Sequence, residues 1–288
     1  MADARKTLDV LYNEWSNCTR CELGTRRNDV NGAFVFGEGV SRGILFVGAG
    51  PGKTEEEQGR PFIGKSGMIL RSVLDKLNIT EAYITNTVCC RSCSALIDQT
   101  TGLPMMRKNF KTKNMEPVWK DEPPTPIHVE SCSSRLYEEI YINDPVVIVA
   151  LGGGAAKALS GTNITITTDR GKERHITIPG ATFRPVLTEK KGAWLRKVQG
   201  QLSAPVEQNE VRYLMIPTLH PAYVLRKLSD KGPTSPFRQF FADIKKAGQI
   251  YERYMAEAHN VTPLGNAFND SDIDEYQAQL EGSDEQES

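Results

Sequence analysis

The chain has 288 residues, of which 39% are hydrophobic and 25% charged, and a formal net charge of −1. That is an ordinary globular composition, long enough for one large α/β domain or two small ones. No apolar run is long enough for a membrane span and the N-terminus has no apolar signal core, so neither a membrane partner nor export is expected. The net charge hides an asymmetry. Residues 261–288 hold eight acids and no Lys or Arg, which leaves residues 1–260 with a surplus of seven positive charges. A mildly basic body is compatible with nucleic acid. The acidic end reads as a disordered, solubilising tail that offers a contact for a protein partner.

In chain order, residues 4–15 place Leu8, Val10, Leu11 and Trp15 at helical spacing, and Cys18 and Cys21 follow at the step by which two thiolates reach one metal centre. A loop and β segment spans about 26–38. Ile44 to Val47 is a short apolar strand that breaks into Gly48, Ala49, Gly50, Pro51 and Gly52, then the acids Glu55 to Glu57, then Gly59-Arg60-Pro61-Phe62. A helix continues over 69–77. Ala82 to Val88 reads as a second strand, ending on Cys89, Cys90 and Cys93. Residues 94–128 read as an insertion, a mobile loop with little packed structure, and 128–142 as a helix carrying Cys132. Val146 to Leu151 is a fully apolar strand suited to the centre of a parallel sheet. Residues 164–178 suggest a hairpin or β extension, and 181–210 a second insertion. Tyr213 to Pro217 is a further buried strand leading to His220, and 236–258 a long amphipathic helix.

Strands alternating with helices predict a three-layer α/β/α fold with a mainly parallel central sheet, formed by one domain over 1–260 followed by the tail at 261–288. Ligands of such sheets bind at the carboxyl ends of the strands, where the glycine loop, Asn86 and His220 all fall. The loop is not a P-loop: that pattern needs Gly at the position of Val47. The dinucleotide fingerprint fails as well, because it needs Gly where Lys53 stands. Six cysteines without a secretion signal point to metal or redox chemistry rather than disulfides, and on spacing alone they admit either Zn2+ or an iron–sulfur cluster.

Three stretches in order, GAGPGKTEEEQGRPFIGKSG, ITNTVCC and HPAYVLR, resemble the motifs of the iron–sulfur, family 4 type of uracil-DNA glycosylase. LGGGAAKALSG, ITTDRG and FRQFFADIKKA resemble further segments of that family, so the likeness runs from about residue 8 to 250. It implies an enzyme of base excision repair that hydrolyses the N-glycosidic bond of uracil in single- or double-stranded DNA. The setting implied is cytoplasmic or nucleoid-associated, or a host cytoplasm for a virus-encoded member. By resemblance, Phe62 stacks on the extruded base, Asn86 reads its edge, His220 stabilises the leaving pyrimidine, and Gly48 to Gly52 wrap the base and the scissile bond. Cys18, Cys21, Cys90 and Cys132 match the ligands of a [4Fe–4S] cluster, with Cys89 where the family usually has Lys and Cys93 without a counterpart. The family's Glu after the first loop glycine is Ala49 here, which moves the water-positioning role toward Glu55 or Glu56. It also leaves open a non-catalytic DNA-binding or scaffold member, and a glycosylase for another deaminated base.

The chemistry of the residues agrees with these roles. A flat base wants an aromatic face and a bidentate amide, which Phe62 and Asn86 supply. Breaking an N-glycosidic bond leaves negative charge on the base, which a donor such as His220 stabilises as it develops.

Overall fold

In the computed structural model, the described residues are 7–108, 113–178, 211–259 and 270–285. The fold is organised on a six-stranded sheet of order β1-β3-β2-β8-β10-β9, with β1 Glu38–Gly39, β2 Ile44–Gly48, β3 Ala82–Asn86, β8 Val147–Leu151, β9 Arg174–Ile178 and β10 Val211–Thr218. The strands β3, β2, β8 and β10 run parallel, while β1 and β9 close the two edges antiparallel. The all-apolar run expected at Val146 to Leu151 is the inner strand β8, and every one of its residues is buried.

Successive side chains of a strand point to opposite faces. Phe46, Val147, Val149 and Ile216 therefore join one apolar cluster, with α4 (Lys65–Lys76), α8 (Pro221–Arg226) and α9 (Pro236–His259) packed over it. Leu45, Val47, Ile148, Ala150 and Met215 face a second cluster under α5 (Pro126–Asn143) and α6 (Gly153–Ser160). The result is the three-layer α/β/α arrangement expected from the alternation of elements. A third cluster joins Leu11 and Trp15 of α1 (Leu8–Trp15) and Leu23 of α2 (Glu22–Asp29) to Phe34, Phe36, Cys89 and Cys90. The chain runs from β2 outward to β3 on one side and from β8 outward to β10 on the other, which makes the carboxyl ends of the adjacent β2 and β8 a topological switch point and the natural place for a ligand.

Three segments differ from expectation. Residues 94–128 are not a loop with little packed structure. β4 (Cys93–Ala95) pairs with β7 (Trp119–Asp121), and β5 (Met106–Lys108) pairs with β6 (Met115–Pro117), so a small β arm stands beside the main sheet. Residues 164–178 bear out the β extension in the edge strand β9, but a short helix, α7 (Ile166–Asp169), precedes it where a hairpin would have placed a second strand. Within the acidic tail, residues 270–285 form α10 (Asp270–Glu285) instead of a disordered segment. Ile273, Tyr276 and Leu280 recur at helical spacing and pack on the first cluster, and the buried Gln277 donates Nε2 to the carbonyls of Leu228 and Asp230. The charged face is tied down by Arg238–Asp274 and Lys231–Glu281. The expected insertion at 181–210 lies outside the described residues. Among the described residues, no helix is long and apolar enough to cross a membrane.

Candidate active site

A cavity of about 360 Å³ opens at the switch point. Ala49 to Gly52 line it from the turn after β2, Asn86 from the end of β3, His220 from the turn after β10, and Phe62 from the segment between α3 (Lys53–Gln58) and α4. Phe62, Asn86 and His220, far apart in sequence, thus share one chamber. Gly48 lies behind the wall: a Cβ there would stand 2.4 Å from Phe62 Cζ and 2.5 Å from Asn86 Oδ1. Only glycine leaves room for the ring and the amide to face each other.

Each of the three side chains is held from behind. Phe62 is buried with φ at +54°, a left-handed conformation that costs a bulky residue on the order of 1–3 kcal/mol. Arg71 of α4 holds it there: Nε donates to the Phe62 carbonyl at 2.8 Å, and Nη2 donates to Pro61 O at 2.8 Å and to Glu38 Oε1 at 2.6 Å. Gly67 is needed beneath, since a Cβ would lie 2.2 Å from the Phe62 carbonyl carbon.

Asn86 is 1% exposed, and its buried Oδ1 has no hydrogen-bond partner among the described residues. An orphaned buried acceptor costs about 1–3 kcal/mol, so it marks a place where a ligand donor is missing. The backbone behind it is clamped by Arg135 of α5, which is fully buried. Arg135 Nη2 donates to Asn86 O at 2.7 Å and to Thr87 O at 2.9 Å. Arg135 also pairs with Glu139, whose carboxylate accepts from Tyr83 at 2.9 Å and Thr85 at 3.1 Å. The signal for this clamp was present in the sequence as an Arg and a Glu four residues apart within the predicted helix 128–142.

His220 caps α8: its Nδ1 accepts from the Ala222 N–H at 3.1 Å, and Pro221 occupies the first helical turn. Accepting at Nδ1 leaves the proton of the neutral ring on Nε2. Burial, assisted by the nearby Arg226 charge, lowers the imidazole pKa to about 4, so the ring is neutral at physiological pH. Its ring lies 6.5 Å from the Phe62 ring, centroid to centroid, tilted by 37°.

The two candidate acids part company. Glu55 lines the cavity, yet Oε1 accepts from Ile63 N at 3.0 Å and Gly64 N at 2.7 Å, and Oε2 accepts from Gly52 N at 3.1 Å. It is the brace that folds the loop. Glu56 does not line the cavity and is buried against Arg26 and Arg91. The lining that sequence reasoning missed is Ser66, Ala222 and the end of the β arm: Ser92, Asp121, Glu122, Pro123 and Pro124. The arm's strands are three residues each and pair over a long separation, so no local periodicity announced them.

Cys18, Cys21, Cys89 and Cys90 gather in the third cluster, and no cysteine lines the cavity. Burial pushes the Cys90 thiol up to about 12, countered by the Arg27 guanidinium and reinforced by Cys132, Cys21 and Cys18, so these four thiols are electrostatic neighbours. Arg27 Nη1 lies 3.6 Å from Cys90 Sγ, and the Arg20 N–H points at Cys18 Sγ at 3.5 Å. Cys89 is fully buried, its thiol raised chiefly by that burial, and the charges acting on it are those of Arg135, Cys132, Glu139 and Cys90. Cys93 is raised chiefly by burial, and the charges acting on it are those of Arg26, Arg91, Glu56 and Asp121. Among the described residues, no three His, Cys, Asp or Glu side chains stand close enough to hold a single metal ion.

Residues 35–245 match the sequence profile of the Uracil DNA glycosylase superfamily. The chain is 30% identical over 259 residues to the type-4 uracil-DNA glycosylase of Thermotoga maritima, a match covering 88% of this chain and 99% of that protein. It is 34% identical over 155 residues to the type-4 uracil-DNA glycosylase of Pyrobaculum aerophilum, covering 53% of this chain and 64% of that protein. With the counterpart from Archaeoglobus fulgidus the identity is 30% over 155 residues, covering 53% and 63%. On the extent of these matches, and with the expected α/β/α sheet in place, the chain belongs to the uracil DNA glycosylase superfamily.

Proposed function

We propose that the chain is a uracil-DNA glycosylase that takes an extruded uracil into the cavity and hydrolyses its bond to deoxyribose. The observation that carries the reading is the unpartnered, buried Oδ1 of Asn86 in the same chamber as the Phe62 ring and a neutral His220. A base within a duplex is out of reach, so it must be flipped out or taken from single strand. Once inside, uracil stacks on Phe62, gives its N3–H to Asn86 Oδ1 and accepts at O4 from the amide nitrogen. Cytosine presents the opposite pattern, an acceptor at N3 and a donor at N4, and leaves the amide mispaired.

As the glycosidic bond lengthens, negative charge gathers on the base and reaches O2. The Nε2–H of His220 meets it there without a proton having to move, since Nδ1 is already committed to the Ala222 N–H. A neutral donor fits this role because it binds the anion more tightly than the neutral base and keeps its own proton.

Cys18, Cys21, Cys90 and Cys132 are the residues that would hold a [4Fe–4S] cluster. Their mutual approach around Cys90 supports that set. When bound, the cluster supplies structure rather than chemistry, tying α1 and α2 to the segment after β3 and to α5.

The test is release of free base from oligonucleotides carrying uracil, cytosine, hypoxanthine or xanthine. The proposal expects uracil release alone, reduced in Asn86→Ala. Release of hypoxanthine or xanthine in preference to uracil would move the assignment to another deaminated base. The methyl of Ala49 in the cavity wall favours one second reading, a DNA-binding member without chemistry, which expects binding to these oligonucleotides and no release from any of them.

A further inference from the structure

We infer that Asp121, on the β arm, is the carboxylate that orients the attacking water; the inference rests on the glycosylase reading above. Hydrolysis requires a water at the sugar carbon, on the side away from the departing base, and an acceptor for its proton. Among the residues lining the cavity the carboxylates are Glu55, Asp121 and Glu122. Glu55 spends both oxygens on the backbone N–H groups of Gly52, Ile63 and Gly64, and moving it would unfold the loop. Glu122, just beyond β7, pairs with Lys120 at 3.1 Å on one side of that strand, and Ser94 donates to the same oxygen at 3.3 Å.

Asp121 points to the other side. Its Oδ1 accepts from Arg91 Nε at 2.5 Å, and Oδ2 has no bonding partner among the described residues. Arg91 is 5% exposed and is anchored in turn by Glu56, so the carboxylate is fixed from a buried support while its side chain remains 58% exposed to solvent. A carboxylate held in place at a wet rim is what delivery of a water demands. Cleavage of a glycosyl bond develops an oxocarbenium-like sugar, which needs an oriented water more than a strong base. The arm itself is docked on the loop, since a Cβ at Gly50 would reach Pro124 Cγ at 3.2 Å.

In this step the water oxygen bonds to the anomeric carbon as the carbon–N1 bond breaks. The electron pair of that bond leaves on the pyrimidine and is spread to O2, against His220. One water proton passes to Asp121 and on to solvent, and the released base anion takes a proton from solvent. No oxidant, reductant or further reactant is needed.

The experiment is single-turnover release of uracil from a uracil-containing oligonucleotide by the iron-loaded full chain, alongside binding to an oligonucleotide bearing a tetrahydrofuran abasic analogue. Asp121→Asn is expected to lower the release rate about 100-fold, within the usual range for a positioned acid or base, with binding changed less than about twofold. Asp121→Glu, which keeps the carboxylate, is expected to recover most of the rate. A wild-type rate in Asp121→Asn overturns the assignment. So does an equal loss of rate and binding, or a loss in Glu122→Gln as large as that in Asp121→Asn. If the unaltered chain releases no uracil at all, the glycosylase reading fails, and this assignment with it.

Discussion

Gly48→Ala separates the pocket from the fold with a single methyl group. The added carbon would sit 2.4 Å from Phe62 Cζ and 2.5 Å from Asn86 Oδ1, both well inside contact distance. Neither the strand nor the ring can retreat easily. Gly48 is in register with Asn86 across the parallel β2–β3 pair, and Phe62 is held by Arg71 above and by the close approach of Gly67 below. Overpacking of this kind costs about 1–3 kcal/mol of stability, which a domain of this size survives. The pocket does not survive it, because relief of the clash displaces the ring or turns the amide. Losing the amide's fit to the base costs about 1–3 kcal/mol, or roughly 5- to 150-fold in rate, and loss of the stacking face adds to it. Single-turnover uracil release, with a thermal melt and the iron absorbance of the same sample, reads both effects. A folded, iron-loaded Gly48→Ala protein with the wild-type rate would refute the shared-chamber geometry.

The remaining predictions concern the donor, the thiols and the C-terminal helix. His220→Ala should lower the rate about 10²–10³-fold, as for loss of one oxyanion donor, while leaving the iron absorbance intact. Because burial lowers the His220 pKa to about 4, the rate should hold as the pH falls from neutral and drop only as the ring is protonated near that value. The sign for stability is the same: His220 imposes no penalty above its ordinary pKa of 6.5, and the penalty grows as pH falls from there toward about 4, where the folded ring begins to protonate. A rate that rises on acidification contradicts the neutral-donor role. Cys90→Ser should lose iron on purification, whereas Cys93→Ser should keep it, as measured by iron content per chain. Ile273→Ala should cost about 2 kcal/mol, the lower end for a buried Ile, with a lower melting temperature and unchanged uracil release per folded molecule. No change in melting would show that α10 does not dock.

The fold was legible where one segment carries its own signal. The run Val146 to Leu151 can be buried on both faces only inside a parallel sheet, and the break at Gly48 to Gly52 marks a strand end. Asn86 and His220 were legible because each ends or follows such a strand, whereas Phe62, separated from β2 by α3, joined them only through the likeness of its motif to the family. What stayed hidden depends on partners distant in sequence. The β arm is made of three-residue strands whose pairing bridges most of the insertion, too short to show a period. The helix at 270–285 was masked by its acids: Ile273, Tyr276 and Leu280 do form a stripe, but only the groove they meet makes it a buried one. Glu55 and Glu56 looked alike as neighbours in a first helical turn. Their different fates, bracing the loop and pairing with Arg26 and Arg91, are set by chain segments that reach them from elsewhere.

The central claim, that this cavity excises uracil, is tested most directly by incubating the iron-loaded chain with a uracil-containing oligonucleotide and measuring free uracil, with iron content determined on the same preparation. Free uracil and an abasic strand are expected, from single- and double-stranded DNA and without added divalent metal. Intact uracil-containing DNA after incubation with fully loaded, folded protein would contradict it.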